Sequence, residues 1–256
     1  MIWNPDPIAF SVFGFSIAWY GLSWSLAILA GYFVLMFIFK REQKNLDKLV
    51  PFIQYIFIFS FTGARLFEML FYQTELFFRE PISFFYVRDG GLASHGAMFG
   101  TALAIWLFTK RNKEFSYSWL IDRSIIVATL QGAIVRLGNF MNSELYGTVT
   151  NVPWSVKFLQ IDNYNRHPVQ LYEAFWLFFC FGLFMFIYLR TEKLKPWFFT
   201  GLFFVVVLSG RVVLEFFKDD EIFYGFFIKS QIISLFGIIV GIAILLFSYF
   251  KNNLKA

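Results

Sequence analysis

Apolar positions in this chain come in long unbroken runs. They lack the strict alternation of a half-buried strand and the one-sided stripe of a surface helix. Seven runs come close to the roughly 20 residues that an α-helix needs to cross a bilayer. They cover about Phe15–Phe39, Phe52–Tyr72, Leu92–Phe108, Trp119–Met141, Val169–Leu189, Phe198–Phe217 and Ser230–Phe250. Polar positions gather between the runs and at a few places inside them. The pattern predicts an all-α polytopic membrane protein with seven transmembrane helices, organised as a single integral-membrane domain over residues 1–256. The connection from about Asn142 to His167 carries Gly147, Pro153, Asn163 and Asn165, which suits a small ordered head between helices four and five. No internal repeat or low-complexity linker interrupts the chain.

Composition agrees. The chain is 58% hydrophobic and only 15% charged, with a mean hydropathy of +0.61, which excludes an ordinary soluble domain. The 39 phenylalanines read as lipid-facing bulk. The net charge of +5 and pI near 9.2 could indicate a nucleic-acid partner, but the basic residues flank the spans, so topology accounts for them. Lys40, Arg41, Lys44 and Lys48 follow span one. Lys110, Arg111 and Lys113 follow span three, Arg190, Lys193 and Lys195 follow span five, and Lys251 and Lys255 follow span seven. The opposite connections carry only Arg79, Arg88, Lys157, Arg166 and Lys229. The positive-inside rule then puts the N-terminus outside and the C-terminus in the cytoplasm. The residues before span one lack Lys and Arg, so no cleavable signal is expected. The single cysteine, Cys180, sits among phenylalanines and reads as packing. No Cys/His cluster has metal spacing, and no glycine-rich loop has the pattern of a phosphate cradle.

The polar residues inside the runs pose the functional question. Ionisable groups at membrane depth are costly and usually face a protein interior or a pathway. In this orientation they fall in one layer near the outer ends of six spans. Tyr20 opens span one, Arg65 and Glu68 lie in span two, and His95 starts span three. Arg136 and Asn139 end span four, Gln170 and Glu173 open span five, and Arg211 and Glu215 lie in span six. Arg136, Asn139 and Asn142 recur at i, i+3, i+6 and share a face if the helix persists. The pairs Arg65/Glu68 and Arg211/Glu215 have helical spacing and could simply neutralise themselves. Tyr20 could be an interfacial aromatic, His95 a core histidine, and His167 a loop or capping residue. Gly90, Gly91 and Gly96 around His95 point to a tight turn into a helix, whose N–H groups favour an anion. Gly237 and Gly241 have small-xxx-small spacing, which suits helix packing. Arg136 has no acid at i±3 or i±4. Two arginines without obvious compensation, opening toward the outer leaflet, suggest a phosphate ligand, and a phospholipid headgroup is the anion most available there.

At this point the residues resemble a known family. V-R-L-G-N-F-M-N-S-E-L-Y-G at Val135–Gly147 is similar to the signature of the prolipoprotein diacylglyceryl transferases. W-Y-G at Trp19–Gly21, G-A-R at Gly63–Arg65, S-H-G at Ser94–Gly96, R-H-P-V-Q-L-Y-E at Arg166–Glu173 and G-R-V-V-L-E-F-F at Gly210–Phe217 match in the same order, over nearly the whole chain. The resemblance implies a bacterial inner (cytoplasmic) membrane enzyme with seven helices and a periplasmic head. It implies transfer of the sn-1,2-diacylglyceryl group from phosphatidylglycerol to the lipobox cysteine in a prolipoprotein signal peptide, with no metal and no cofactor. Carried over by motif, Tyr20, His95, Arg136, Asn139, Glu144, Gly147, Arg211 and Glu215 fall on positions important in the family. The chain departs from common patterns at Ala97, where relatives often have a second glycine, and at Val207, where some carry a tyrosine.

The reading that follows makes His95, Arg136, Arg211 and Tyr20 catalytic. His95 would be the base for the substrate thiol and the arginines would hold the leaving phosphate. Arg136, Asn139, Asn142, Glu144, Gly147 and Glu215 form the substrate-binding set. A membrane transporter and a non-enzymatic anionic-lipid-binding protein are the alternatives from other classes.

Overall fold

A computed structural model describes residues 1–86, 91–219, 223–224 and 227–253, mostly as helix. Among the described residues, six helical stretches are long and apolar enough to cross a membrane: Trp19–Arg41, Leu46–Phe71, Tyr117–Met141, Val169–Arg190, Phe198–Phe217 and Ser230–Phe250. The helices are α1 (Trp19–Arg41), α2 (Leu49–Phe71), the short α3 (Thr74–Arg79), α4 (Ser94–Arg111), α5 (Tyr117–Met141), α6 (Val169–Arg190), α7 (Phe198–Leu214) and α8 (Lys229–Asn253). The run expected at about Leu92–Phe108 folds as α4. Its 18 residues begin with Ser94-His95 and end with Lys110-Arg111, and it is not among the six. The first span starts later than its hydropathy suggested. Phe15–Ala18 is strand β3, paired antiparallel with β2 (Ile8–Val12), and helix begins only at Trp19.

Two compact units divide the described residues: Met1–Val34 with Asp122–Ala256, and Leu35–Ile121. In the second unit, α2 and α4 run antiparallel with their backbones nearly touching. A Cβ on Gly63 would collide with the Gly96 carbonyl oxygen, one on Gly96 with that of Gly63, and one on Gly100 with that of Phe59. Larger side chains would force the helices apart, so the glycines here serve close approach rather than flexibility. At the far end of the same interface, Phe52 and Phe108 meet edge to face at 5.1 Å.

In the first unit, the same device joins α7 to α8, where a Cβ on Gly201 or on Gly241 would lie 3.0 Å from the other's carbonyl oxygen. This is the packing role expected of Gly237 and Gly241. Cys180 is fully buried, as expected of a packing residue. Near the start of α5, the fully buried Asp122 accepts from both the N–H and the hydroxyl of Thr200, at 2.8 and 2.6 Å. Thr200 lies in the first turn of α7, whose N–H groups have no partner within their own helix. Asp122 therefore caps α7 from a neighbouring helix.

The connection between α5 and α6 folds into a small sheet with the N-terminal segment. Its order is β1 (Ile2–Trp3), β4 (Val156–Phe158), β5 (Asn165–Arg166), with β1 parallel and β5 antiparallel to the central strand. Phe140, Val156 and Phe158 form its buried cluster with Trp3, Tyr146 and Leu171 around them. Trp3 Nε1 donates to the Phe140 carbonyl at 3.0 Å, which ties this sheet to the end of α5.

Candidate active site

The end of α5 shapes the site. After Met141, the backbone folds back on itself: Asn142 N donates to Gly138 O, Ser143 N to Phe140 O, and Glu144 N to Asn139 O. Ser143 and Leu145, on either side of Glu144, have positive φ of 56° and 55°. Non-glycine residues seldom adopt this conformation, and it persists only where the surroundings enforce it. The result turns the Glu144 carboxylate back toward the helix. Asn139 and Asn142 donate to its two oxygens at 3.3 and 3.4 Å. Gln170 of α6 donates to the Glu144 carbonyl at 2.5 Å and fixes the turn from the other side.

From Asn139 a chain of polar contacts runs across three helices. Arg136 Nη1 donates to Asn139 Oδ1 at a long 3.5 Å. Arg136 Nε lies 3.0 Å from Glu173 Oε2, an ion pair by distance but out of line for a hydrogen bond, since that oxygen has no hydrogen-bond partner. The other Glu173 oxygen is 2.9 Å from Lys218 Nζ. Lys218 also reaches Glu215 Oε1 at 3.0 Å, and Arg211 Nε donates to that same oxygen at 3.1 Å. Arg136, Lys218 and Arg211 thus alternate with Glu173 and Glu215, so the buried carboxylates are compensated, as their burial requires.

This changes one expectation. Arg136 lacks an acid at helical spacing, but it is compensated by Glu173, more than thirty residues along the chain. Arg211 is compensated by Glu215, as the i, i+4 spacing allowed. Neither arginine is an unpaired charge. Both, however, meet their acid through Nε, the edge nearest the backbone. Among the described residues, no partner is found for Arg136 Nη2 or for either terminal nitrogen of Arg211. The Arg211 side chain is 50% exposed and that of Arg136 27%.

Lys218 is the participant that the hydropathy pattern missed, because it lies one residue beyond the predicted end of span six. Its i, i+3 spacing from Glu215 was the available signal. It also borders a cleft of about 240 Å³, lined by Thr148, Glu215, Phe216, Asp219, Ile228 and Gln231 as well.

Gly147 serves the framework of the site. Its N–H donates to the His167 carbonyl, it bridges to Lys218, and a Cβ there would overlap the Phe217 carbonyl oxygen. Arg166 locks the same junction. It donates to Gly147 O at 3.0 Å and pairs with Asp219 at 2.8 Å and Asp162 at 2.7 Å. The Arg166 guanidinium holds the Asp162 carboxyl below the usual carboxylate range, and Asp162 in turn raises Arg166. His167 packs its ring 5.0 Å from that of Phe217 and places Nδ1 3.2 Å from the Tyr172 hydroxyl. Burial lowers its pKa, so the neutral imidazole is favoured. These contacts match a structural part for His167.

Tyr20 is the second residue of α1. Ser23, one turn on, hydrogen-bonds the Tyr20 carbonyl at 2.7 Å and lies so close to Gly138 that a Cβ there would strike its hydroxyl. Only glycine at position 138 lets α1 approach the Arg136–Asn139 segment this closely. Val207 is buried, and its carbonyl accepts from Trp176 Nε1 at 3.3 Å.

His95 belongs to the other unit, as the second residue of α4, with its ring 6.0 Å from that of Phe67. The backbone before it is tied down. Ala93 N donates to Ala64 O at 3.2 Å, and buried Arg65 donates to the carbonyls of Ser83, Phe84, Tyr86 and Gly91. Glu68 accepts from Gln73 at 3.2 Å. Gly90 lies outside the described residues. Among the described residues, no three His, Cys, Asp or Glu side chains are grouped as a metal would need.

The family model described as prolipoprotein diacylglyceryl transferase matches residues 7–247. A protein of Tolumonas auensis named phosphatidylglycerol–prolipoprotein diacylglyceryl transferase is 38% identical over 97% of this chain and 97% of its own length. Proteins of the same name from Chloroherpeton thalassium and Bacteroides fragilis are 33% and 32% identical, over 100% and 99% of this chain and 97% of their own lengths. The chain belongs to the prolipoprotein diacylglyceryl transferase family.

Proposed function

From that membership we propose that this multi-pass membrane protein transfers the sn-1,2-diacylglyceryl group of phosphatidylglycerol to the lipobox cysteine of a prolipoprotein signal peptide. The substrate thiol loses its proton and its sulfur attacks the glyceryl carbon that bears the phosphate ester. That C–O bond breaks, its electrons leave with the phosphate, and the products are a thioether-linked prolipoprotein and glycerol 1-phosphate. This is the first step of bacterial lipoprotein maturation.

The observation that carries the site assignment is the pairing of Arg136 and Arg211 with acids through Nε alone. The acids fix each guanidinium, while both terminal nitrogens of Arg211 and Nη2 of Arg136 remain to receive phosphate oxygens, a ligand natural to arginine. The phosphate goes from a singly to a doubly charged ester as the C–O bond breaks. Donors already aimed at it stabilise that change without reorganising. Asn139 and Asn142, oriented by Glu144, bond headgroup oxygens. Glu215 orients Arg211, and Gly147 keeps the end of α7 against the loop that carries Glu144. Tyr20 closes the site from α1. His95 is the base that takes the proton of the substrate thiol.

In the membrane, α4 makes a seventh crossing beside α2, which it accompanies from Phe108 opposite Phe52 to Gly96 opposite Gly63. An odd number of crossings fits the charge distribution, with the N-terminus and active site periplasmic and the C-terminus cytoplasmic in the inner membrane. The sheet of β1, β4 and β5 is then a periplasmic head within one integral-membrane domain.

The test supplies purified protein in vesicles with glycerol-labelled phosphatidylglycerol and a lipobox peptide. Thioether peptide and glycerol 1-phosphate should appear together. Movement of labelled lipid or solute with neither product would instead favour a transporter, and binding without product a lipid-binding protein. Normal turnover in His95→Ala would remove His95 as the base.

A further inference from the structure

We propose that the hairpin of β2 and β3 is a lipid-inserting foot, whose apolar face lies in the leaflet at the N-terminal end of α1. The register pairs Phe10 with Ile17 and Val12 with Phe15 on one face, and Ser11 with Ser16 on the other. The two serine hydroxyls lie 3.2 Å apart, so the polar face satisfies itself. The apolar face is open: Phe10 is 47% exposed, Val12 43% and Phe15 77%.

The turn makes the point more sharply. Phe13 and Gly14 form the two-residue loop with φ of 49° and 81°. Loops of this kind favour Asn, Asp or Gly at the first position, because φ is positive there. Phenylalanine gives nothing to the turn, yet it occupies that position with 97% of its surface exposed. Its side chain is held out toward something beyond the chain.

Continuity with the membrane identifies what that is. Ala18 runs directly into Trp19, the first residue of α1, and Trp19 N donates to Pro7 O at 3.0 Å, which fastens the hairpin base to the helix end. No Asp, Glu, Lys or Arg occurs between Asp6 and Lys40. That uncharged stretch, residues 7–39, holds all of the 23-residue α1 but Lys40 and Arg41, and its part before Trp19 is suited to the interface. A five-residue strand spans about 17 Å, which keeps the tip near the leaflet to which α1 opens. The foot would set the depth of the first turn of α1, and with it of Tyr20.

The inference rests on α1 crossing the membrane and not on the transferase reading. Phe13→Cys, Phe15→Cys, Ser11→Cys and Ser16→Cys would each be labelled with an environment-sensitive fluorophore in the full chain. Buried Cys180 makes the unsubstituted protein the blank. In phosphatidylethanolamine–phosphatidylglycerol vesicles, labels at 13 and 15 should lose emission when the lipids carry bromine near the headgroup end of the acyl chains. They should resist aqueous iodide, whereas labels at 11 and 16 should respond the opposite way. Equal iodide quenching at all four positions would overturn the foot. So would protection at 13 that vanishes on dilution of protein into excess lipid, which signals a second copy, or that appears only with the lipobox peptide. Circular dichroism and the thermal unfolding midpoint of each labelled chain, compared with the unsubstituted protein, report that it is folded.

Discussion

Arg65 and the Arg136–Arg211 pair are charges of the same kind with opposite surroundings. Arg65 is buried and, among the described residues, donates to the backbone carbonyls of Ser83, Phe84, Tyr86 and Gly91. Arg136 and Arg211 each meet one carboxylate through Nε and leave terminal nitrogens unpartnered among the described residues. The first pattern ties backbone carbonyls in place, and the second keeps guanidinium donors open. The sequence pattern, which leads to the expectation of one layer for all three, does not separate them. What separates them is where the N–H groups go.

The comparison breaks most sharply under arginine-to-lysine exchange. Lysine keeps the charge but not the planar fork. Arg211→Lys should lower turnover by on the order of 10²–10³, the usual effect of losing a donor aimed at developing charge, with little change in thermal unfolding. Arg65→Met should do the reverse in kind. It leaves carbonyls without donors, and each such group costs about 1–3 kcal/mol, so a loss on the order of 3 kcal/mol in stability is expected by proteolysis or thermal unfolding in detergent. Normal stability in Arg65→Met would show that the loop does not need its clamp.

Lys218→Met gives a smaller effect. Without the ammonium, Glu173 and Glu215 lose the cation between them and the two arginines lose a fixed spacing. Turnover should fall about tenfold, and Lys218→Arg should restore most of it, a coupling in the range typical of contacting groups. A merely structural part would lower Tm without changing KM for phosphatidylglycerol, so KM and kcat are measured separately.

The smallest effect concerns pH. Asp162 has a depressed pKa in the folded protein, so its contribution is present above the unfolded value near 3.9 and is lost as pH falls through the lower folded value. His167 is also depressed, but as a base. The unfolded chain binds its proton first, so stability begins to fall below about pH 6.5 and continues to fall until the pH drops below the folded value. Unfolding midpoints should therefore decline from neutral pH downward, with a further step in strong acid. His167→Gln should remove the first decline and keep the second.

Much of this was legible in the chain. The long apolar runs located the helices, because crossing a bilayer demands length and low charge. The i, i+4 spacing of Arg211 and Glu215 gave a real pair, and the i, i+3, i+6 spacing put Arg136 against Asn139, and Asn139 and Asn142 beside Glu144. What stayed hidden was long-range partnership. Nothing near Arg136 announces Glu173, and nothing near Asp122 announces Thr200. The start of α1 was misplaced because Phe15–Ala18 is as apolar as the helix that follows, and hydropathy does not distinguish a strand from a helix. Nothing near Arg65 in sequence announces its backbone acceptors Ser83, Phe84, Tyr86 and Gly91.

The central claim is that the terminal nitrogens of Arg136 and Arg211 take the phosphate that leaves. The most direct measurement is single-turnover release of glycerol 1-phosphate, with labelled phosphatidylglycerol, a lipobox peptide and the Arg136→Lys/Arg211→Lys protein in vesicles. The account predicts that lipid still binds, that release slows far more than binding weakens, and that thioether formation slows by the same factor. Release at the parent rate, coupled to thioether as before, would contradict it.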